Sequence, residues 1–175
     1  MTLDQSAILE VERDVQNSLF DQMSEEQKLK VAPLATRMRP RNLDEYFGQN
    51  DAIGEGTWLR SAISNDTLSS IILFGPAGTG KTSLARIIAQ NTNAQFEEVS
   101  AVTGTVADLR KAIAAAQSRL GIQGQRTILF IDEIHRFSKS QQDALLHAVE
   151  DRVVILIGAT TENPYFEVNP PLVSR

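Results

Sequence analysis

The patterning of the chain predicts an α/β protein whose parallel sheet is covered by helices on both faces. Three observations carry this. Apolar runs recur at residues 70–74, 96–100, 127–132 and 153–158. Helical periodicity fills the intervals at 81–90, 106–120 and 140–150. A glycine-rich octapeptide, Gly75-Pro76-Ala77-Gly78-Thr79-Gly80-Lys81-Thr82, joins the first run to the first helix. Strands buried on both faces read as continuous apolar runs rather than alternating ones. A helix between successive strands makes the crossover long enough to bring the chain back in parallel.

Taken in order, residues 1–31 form a leader with seven acids against three bases and neither glycine nor proline. Such a segment is expected to be flexible. From residue 32 the texture is that of one domain. Arg37, Arg39 and Arg41 bracket Pro40 in an irregular basic segment that runs through residues 43–49 into a helix. A second amphipathic helix carries Trp58, Leu59, Ala62 and Ile63 and stops near Asn65-Asp66, with Trp58 expected in the core. The helix after the octapeptide presents Leu84, Ile87 and Ile88 on one face, and the next presents Val106, Leu109, Ile113, Ala116 and Leu120. Thr105 with Asp108 makes a capping-box start for the latter, and Gly121 marks its expected stop.

Composition narrows the classes. At 175 residues the chain is one domain by length, with 42% hydrophobic and 22% charged residues, as in a globular domain. No apolar run approaches the roughly 20 residues of a membrane span, so a membrane is not expected as a partner. The first residues lack a secretory pattern. The absence of cysteine excludes disulfides and zinc ribbons, and His135 and His147, twelve residues apart, make no metal site. Asp143 and Glu150 read as a solvated or interface face.

The octapeptide is G-x-x-x-x-G-K-[ST] in its confirming context, a buried strand before and an amphipathic helix after. Gly75, Gly78 and Gly80 let backbone N–H groups turn inward around a triphosphate, with Pro76, Ala77 and Thr79 completing the loop. Lys81 supplies a point charge for the β- and γ-phosphates, the Thr82 hydroxyl is a ligand for Mg²⁺, and Ser83 follows in the first helical turn. The chain is therefore expected to bind ATP with Mg²⁺. The strand at 127–132 ends in Asp132-Glu133, which delivers two carboxylates to the sheet edge where ligands bind. Asp132 is expected to hold Mg²⁺ largely through water, and Glu133 to orient and deprotonate the attacking water. Past the last strand, Thr160 and Thr161 read equally as an ordinary strand exit or as hydroxyls placed for the attacking water or the γ-phosphate.

The strings Arg39-Pro40-x-x-Leu43-Asp44-Glu45-Tyr46-x-Gly48-Gln49, Asp132-Glu133-Ile134-His135-Arg136-Phe137 and Gly158-Ala159-Thr160-Thr161, with the phosphate loop, resemble the AAA+ ATPases of the clamp-loader clade. Pro33-Leu34-Ala35, Phe137-Ser138-Lys139-Ser140-Gln141-Gln142 and Thr161-Glu162-Asn163-Pro164 bring the resemblance nearest to the replication-associated recombination protein A family, relatives of Werner-helicase-interacting protein. It extends over residues 33–175. It implies a sheet in the order 1-4-3-2, with the segment Arg39–Gln49, and in it Arg39, Pro40, Gly48 and Gln49, around adenine and ribose. It implies Thr161 as sensor 1, with Thr160 the alternative, and Ser100 as the polar partner that restrains the catalytic Glu133. Arg175 matches the arginine finger that reaches a neighbouring subunit's ATP. The role implied is ATP-driven action at stalled or gapped replication forks by a cytoplasmic, nucleoid-associated homo-oligomer. Its implied partners are DNA with gaps or single-strand ends, the sliding clamp and single-strand-binding protein. The family carries a fifth strand, a helical lid and a C-terminal oligomerisation region after the arginine finger, so a chain ending at Arg175 is expected to hydrolyse ATP weakly or not at all. Ala77 stands where a second proline is more usual.

Within the leader, Gln16, Ser18, Leu19 and Phe20 resemble the bacterial sliding-clamp-binding pentapeptide; the other reading is a helix packed on its own domain. Two alternatives for the whole chain belong to the same clade, a clamp-loader subunit and a Holliday-junction branch-migration ATPase. The missing zinc-binding cysteines count against the first, and Ser174, not Asp, before Arg175 counts against the second. A third alternative is a non-hydrolysing, nucleotide-dependent module tethered to the clamp by its leader.

Overall fold

A computed structural model describes residues 33–175. They fall into two compact units that divide between Arg39 and Pro40. The first contains the single-turn helix α1 (Leu34–Arg37); the single-turn helix α2 (Asn50–Ile53), the sheet and all remaining elements belong to the second. Gln16, Ser18, Leu19 and Phe20 lie outside the described residues.

Four strands, β1 (Ile71–Phe74), β2 (Gln95–Ser100), β3 (Thr127–Asp132) and β4 (Val154–Thr160), form one sheet in the order β1-β4-β3-β2. Every pairing is parallel. This is the expected order. The central strand β3 is buried over its first five residues, and the alternation hidden in its sequence is two-sided. Ile128 and Phe130 enter a core with Leu59, Ile63, Leu84 and Ile88 from helices α3 (Trp58–Ser64) and α4 (Lys81–Gln90). Leu129 and Ile131 enter the opposite core with Leu109 and Ala116 of α5 (Val106–Gln123) and Leu145 of α6 (Lys139–Glu150). Each fully buried side chain of this size stabilises the fold by about 1.5–3 kcal/mol, so β3 is the strand on which both layers depend.

Three local expectations change. Helix α5 runs through Gly121 and ends at Gly124, whose φ of 64° and N–H bond to the Leu120 carbonyl make the stop. A glycine ends a helix where the backbone takes the left-handed conformation, and Gly121 keeps the helical one. β4 extends two residues past Gly158, because its ladder with β1 continues to Phe74 opposite Thr160. Trp58 is 62% exposed rather than buried. It occupies the first turn of α3, roughly 90° around the helix from the centre of the Leu59, Ala62 and Ile63 stripe, where no element covers it.

Two connections place the ends of the unit. Before β1, the segment at residues 41–46 is held by the Arg60–Asp44 ion pair at 2.6 Å. After β4, the short helices α7 (Pro164–Glu167) and α8 (Pro170–Val173) are clipped to α6 by buried Gln142. Its amide donates to the carbonyls of Phe137 at 3.1 Å and Glu167 at 3.3 Å, and its oxygen accepts from the Asn169 N–H at 2.7 Å. Among the described residues, no helix is long and apolar enough to cross a membrane.

Candidate nucleotide site

Because all four strands run in parallel, their exits share one edge. The loop at residues 75–80 follows β1, Asp132 ends β3 and Glu133 follows it, Thr161 follows β4, and Ser100 pairs with Asp132 at the end of β2. Gly75 N–H donates to the Thr160 carbonyl at 3.2 Å, so the foot of the loop is tied to the end of β4.

The loop keeps its shape through its own contacts. Gly78 and Gly80 take φ of 80° and 87°, conformations that a side chain disfavours. Gly80 caps the N-terminus of α4, whose first-turn N–H groups and dipole favour an anion there. Thr79 donates its hydroxyl to the Pro76 carbonyl at 2.9 Å, and Lys81 donates to the carbonyls of Gly75 at 2.7 Å and Pro76 at 2.9 Å. Ala77 is exposed at the loop's outer side, and Thr82 and Ser83 are half-buried in the first turn of α4.

Tyr46 closes the other side. Its hydroxyl donates to the Thr79 carbonyl at 2.8 Å, and a Cβ on Gly80 would lie 2.7 Å from that oxygen. Burial pushes the Tyr46 phenol up. A cleft of about 560 Å³ opens beside the loop, lined by Tyr46, Gln49, Trp58, Phe74, Thr79 and Lys81 among others. That size suits a nucleoside, and the exposed Trp58 acquires a place on its wall. Gln49 lines the cleft, in a left-handed conformation with φ of 57°. Gly48, at φ 86°, makes the turn before it, and neither Gly48 nor Pro40 is among the lining residues. Arg39 belongs to the other compact unit and is exposed.

The acids have separate environments. Burial, and then the neighbouring Glu133 charge, raise the Asp132 carboxyl above the ordinary carboxylate value, while the Lys81 ammonium acts the other way. A carboxylate desolvated beside a second one is suited to a cation. Thr82 and Asp132 offer the hydroxyl and carboxylate oxygens that Mg²⁺ prefers. No group of three or more His, Cys, Asp or Glu side chains that could hold a metal ion is found among the described residues.

Glu133 leaves the strand at φ 54°, a left-handed conformation that costs a non-glycine residue about 1–2 kcal/mol. The turn swings its carboxylate toward β4, where Thr161 donates its hydroxyl to Oε2 at 3.2 Å. His135, in the 3-10 turn Ile134–Arg136, brings Nδ1 within 3.2 Å of the same oxygen and 2.9 Å of Thr160 Oγ1. Thr160 is fully buried and closes its own turn by bonds to Glu162, so of the two threonines it is Thr161 that reaches the acid. The Ser100 hydroxyl accepts from the Val102 N–H at 3.2 Å; the recorded partners of the Glu133 carboxylate are Thr161 and His135.

Arg175 lies elsewhere. It donates twice to Glu150 Oε1, at 2.6 and 2.9 Å, and lines a cavity of about 740 Å³ with Ser69, Arg126 and Val154. Those residues mark the N-terminal edge of the sheet. A seven-residue strand such as β4 separates this edge from the phosphate loop by about 20 Å, too far for Arg175 to serve the loop of its own chain. Two residues had no individual role in the sequence reading: Tyr46, inside the segment expected around adenine and ribose, and His135. Tyr46 stood inside the quoted string as one aromatic among polar neighbours, and His135 showed only its closeness to the acids.

Comparison with known proteins places these features. Residues 38–171 match the family described as "Holliday junction DNA helicase RuvB P-loop domain". A replication-associated recombination protein A of Haemophilus influenzae is 57% identical over 144 residues, 82% of this chain and 32% of that protein. The ATPase WRNIP1 of Dictyostelium discoideum is 46% identical over 85% of this chain and 17% of its own length. Among solved structures, the Thermotoga maritima RuvB Holliday junction branch migration motor superposes with a TM-score of 0.61 at 34% identity, covering 79% of this chain and 46% of that one. The chain spans about a third of the length of the replication-associated recombination proteins it matches.

Proposed function

Because the chain belongs to the RuvB-type P-loop domain family of AAA+ ATPases, and within it sides with the replication-associated recombination protein A relatives, we propose that it binds and hydrolyses ATP in replication-associated recombination and repair. One observation carries the chemical part: the phosphate loop with Lys81, the Asp132-Glu133 pair and Thr161 meet at one sheet edge, with Glu133 bonded to Thr161. The backbone N–H groups from Gly75 to Gly80 and the Lys81 ammonium hold the β- and γ-phosphates. Thr82 and Asp132 are placed for Mg²⁺, which when bound neutralises charge developing on the transferring phosphoryl group. Glu133 accepts the proton of the attacking water, and Thr161 steadies both. Gln49 meets adenosine in the adjoining cleft. Ser100, two strands from β4, is a second restraint on Glu133 once nucleotide moves the acid.

Arg175 is assigned to the ATP of a neighbouring copy, which fits its position at the sheet's far edge and implies a homo-oligomer. Fork, gap and single-strand-end DNA, and cytoplasmic, nucleoid-associated work, are part of this proposal, supported by relatives named for replication and recombination. Gln16, Ser18, Leu19 and Phe20 are proposed as a sliding-clamp ligand, with single-strand-binding protein a second partner. A leader peptide that binds a bacterial clamp and loses binding on Leu19→Ala with Phe20→Ala supports the first.

ATP turnover in the intact protein tests the central reading. Lys81→Ala should abolish nucleotide binding, and Glu133→Gln should keep binding and lose hydrolysis. Equal turnover by wild type and Glu133→Gln removes Glu133 from its role. The structural likeness to RuvB favours a second reading, a branch-migration motor. Stimulation of turnover by four-way junctions, and not by gapped forks, would select it.

A further inference from the structure

His135 faces into the site from the 3-10 turn, only 13% exposed at its side chain, and the proposed reaction gives it no task. Its surroundings fix which ring nitrogen carries hydrogen. The Thr160 hydroxyl has one hydrogen to give, and it goes to the Glu162 carbonyl at 3.1 Å; the same oxygen accepts from the Glu162 N–H at 3.0 Å. The Glu133 carboxylate, 3.2 Å from Nδ1, can only accept, so a hydrogen on Nδ1 is the tautomer that suits both neighbours, donating to Thr160 Oγ1 at 2.9 Å and facing Oε2. Nδ1–H is therefore anchored on a fully buried hydroxyl, and it lies 3.2 Å from Glu133 Oε2.

Among the described residues, Glu133 is approached at Oε2. Oε2 receives the Thr161 hydroxyl and the positive edge of the His135 ring. The recorded contacts leave Oε1 as the oxygen that can take a proton. The anchor also reaches the phosphate loop, since the Thr160 carbonyl accepts the Gly75 N–H. On the reading that Glu133 is the base for ATP hydrolysis, we infer that His135 is a positioning residue. Its Nδ1–H, braced by Thr160, holds Glu133 Oε2 so that Oε1 meets the attacking water, and it ties that orientation to the foot of the phosphate loop. The ring contacts no reacting atom; it acts through the acid.

Three substitutions in the intact protein separate this from simple packing. Asn places an amide N–H where Nδ1 stands, Gln places it one bond further out, and Ala removes it. His135→Asn should keep kcat within about threefold of wild type. His135→Gln and His135→Ala should lose between about tenfold and a hundredfold in kcat, as misplacement of a reacting group does. The Kd for a fluorescent ATP analogue should stay unchanged in all three. Thr160→Val, which removes the anchor and keeps the shape, should lower kcat in the same way. Equal kcat across the series, a Gln variant as active as the Asn variant, or a parallel loss of kcat, nucleotide binding and thermal stability overturns the inference. If the Ala variant does not fold, the Asn and Gln pair decides. A wild type that binds ATP without turning it over sinks the hydrolysis reading and the inference together, whereas turnover indifferent to the ring sinks the inference alone.

Discussion

Tyr46 donates its phenolic hydrogen to the carbonyl of Thr79 at 2.8 Å. This bond joins the irregular segment before β1 to the one loop expected to carry the phosphates, across 33 residues of sequence. The ring also fills the space that Gly80 leaves open. The base-side wall and the phosphate loop are therefore one mechanical unit.

Removing the hydroxyl alone tests that coupling. Tyr46→Phe keeps the ring against Gly80 and leaves the Thr79 carbonyl to solvent. A hydrogen bond of this kind contributes about 0.5–1.5 kcal/mol, so the Kd for ATP should rise by a few-fold up to roughly tenfold, with a small fall in Tm. Calorimetric titration with a non-hydrolysable ATP analogue reads the first, and an unchanged Kd would confine the bond to folding.

Asp132 predicts a stability that depends on pH. Burial and the Glu133 charge raise its folded-state pKa, so its charged form weighs against the fold. The cost is absent below the ordinary carboxylate range, where the group is protonated in both states, and grows as pH rises through the folded-state value. Asp132→Asn removes the charge and keeps the shape. Without nucleotide or Mg²⁺, the Asn variant should melt higher than wild type at pH 7, and the gap should close as the solution is acidified. The same variant should lose Mg²⁺-dependent turnover. A Tm below wild type at pH 7 would contradict the sign.

Glu133 couples strain to function. Its left-handed backbone suits glycine, so Glu133→Gly should be more stable than Glu133→Gln by about 1 kcal/mol in chemical denaturation. Both should be inactive. Function then holds a residue at this turn that the fold alone would not choose, and equal stability of the two variants would remove that argument.

Under the proposed function, Arg175 and Glu133 would serve one site from different subunits. Arg175→Ala and Glu133→Gln should each be inactive alone, the first by about a thousandfold. Mixed together they should regain turnover, because some sites then combine Glu133 of one copy with Arg175 of the next. A mixture as inactive as its components would place Arg175 outside the catalytic site.

Much of this was readable from the chain alone, and the readable part shares a physical cause. Apolar runs, capping boxes and the glycines of the phosphate loop act through neighbours within a few residues. β3 could be recognised as doubly buried because no residue from Ile128 to Ile131 could tolerate water. The strand exits that gather Lys81, Asp132 and Thr161 follow from parallel topology, which the alternation of strands and helices imposes. What escaped depends on partners distant in sequence. Trp58 has the composition of a core residue, yet its burial depended on which side of α3 the sheet would meet. The hydrogen on His135 Nδ1 is received by a threonine 25 residues away, and the far-edge position of Arg175 is set by the clip that Gln142 makes with Glu167 and Asn169. Local sequence encodes which chemistry is present, because rotamers, caps and backbone preferences are short-range. Which side chains stand beside Glu133, and which sheet edge carries Arg175, are distances across the packed sheet, and only the tertiary structure sets those.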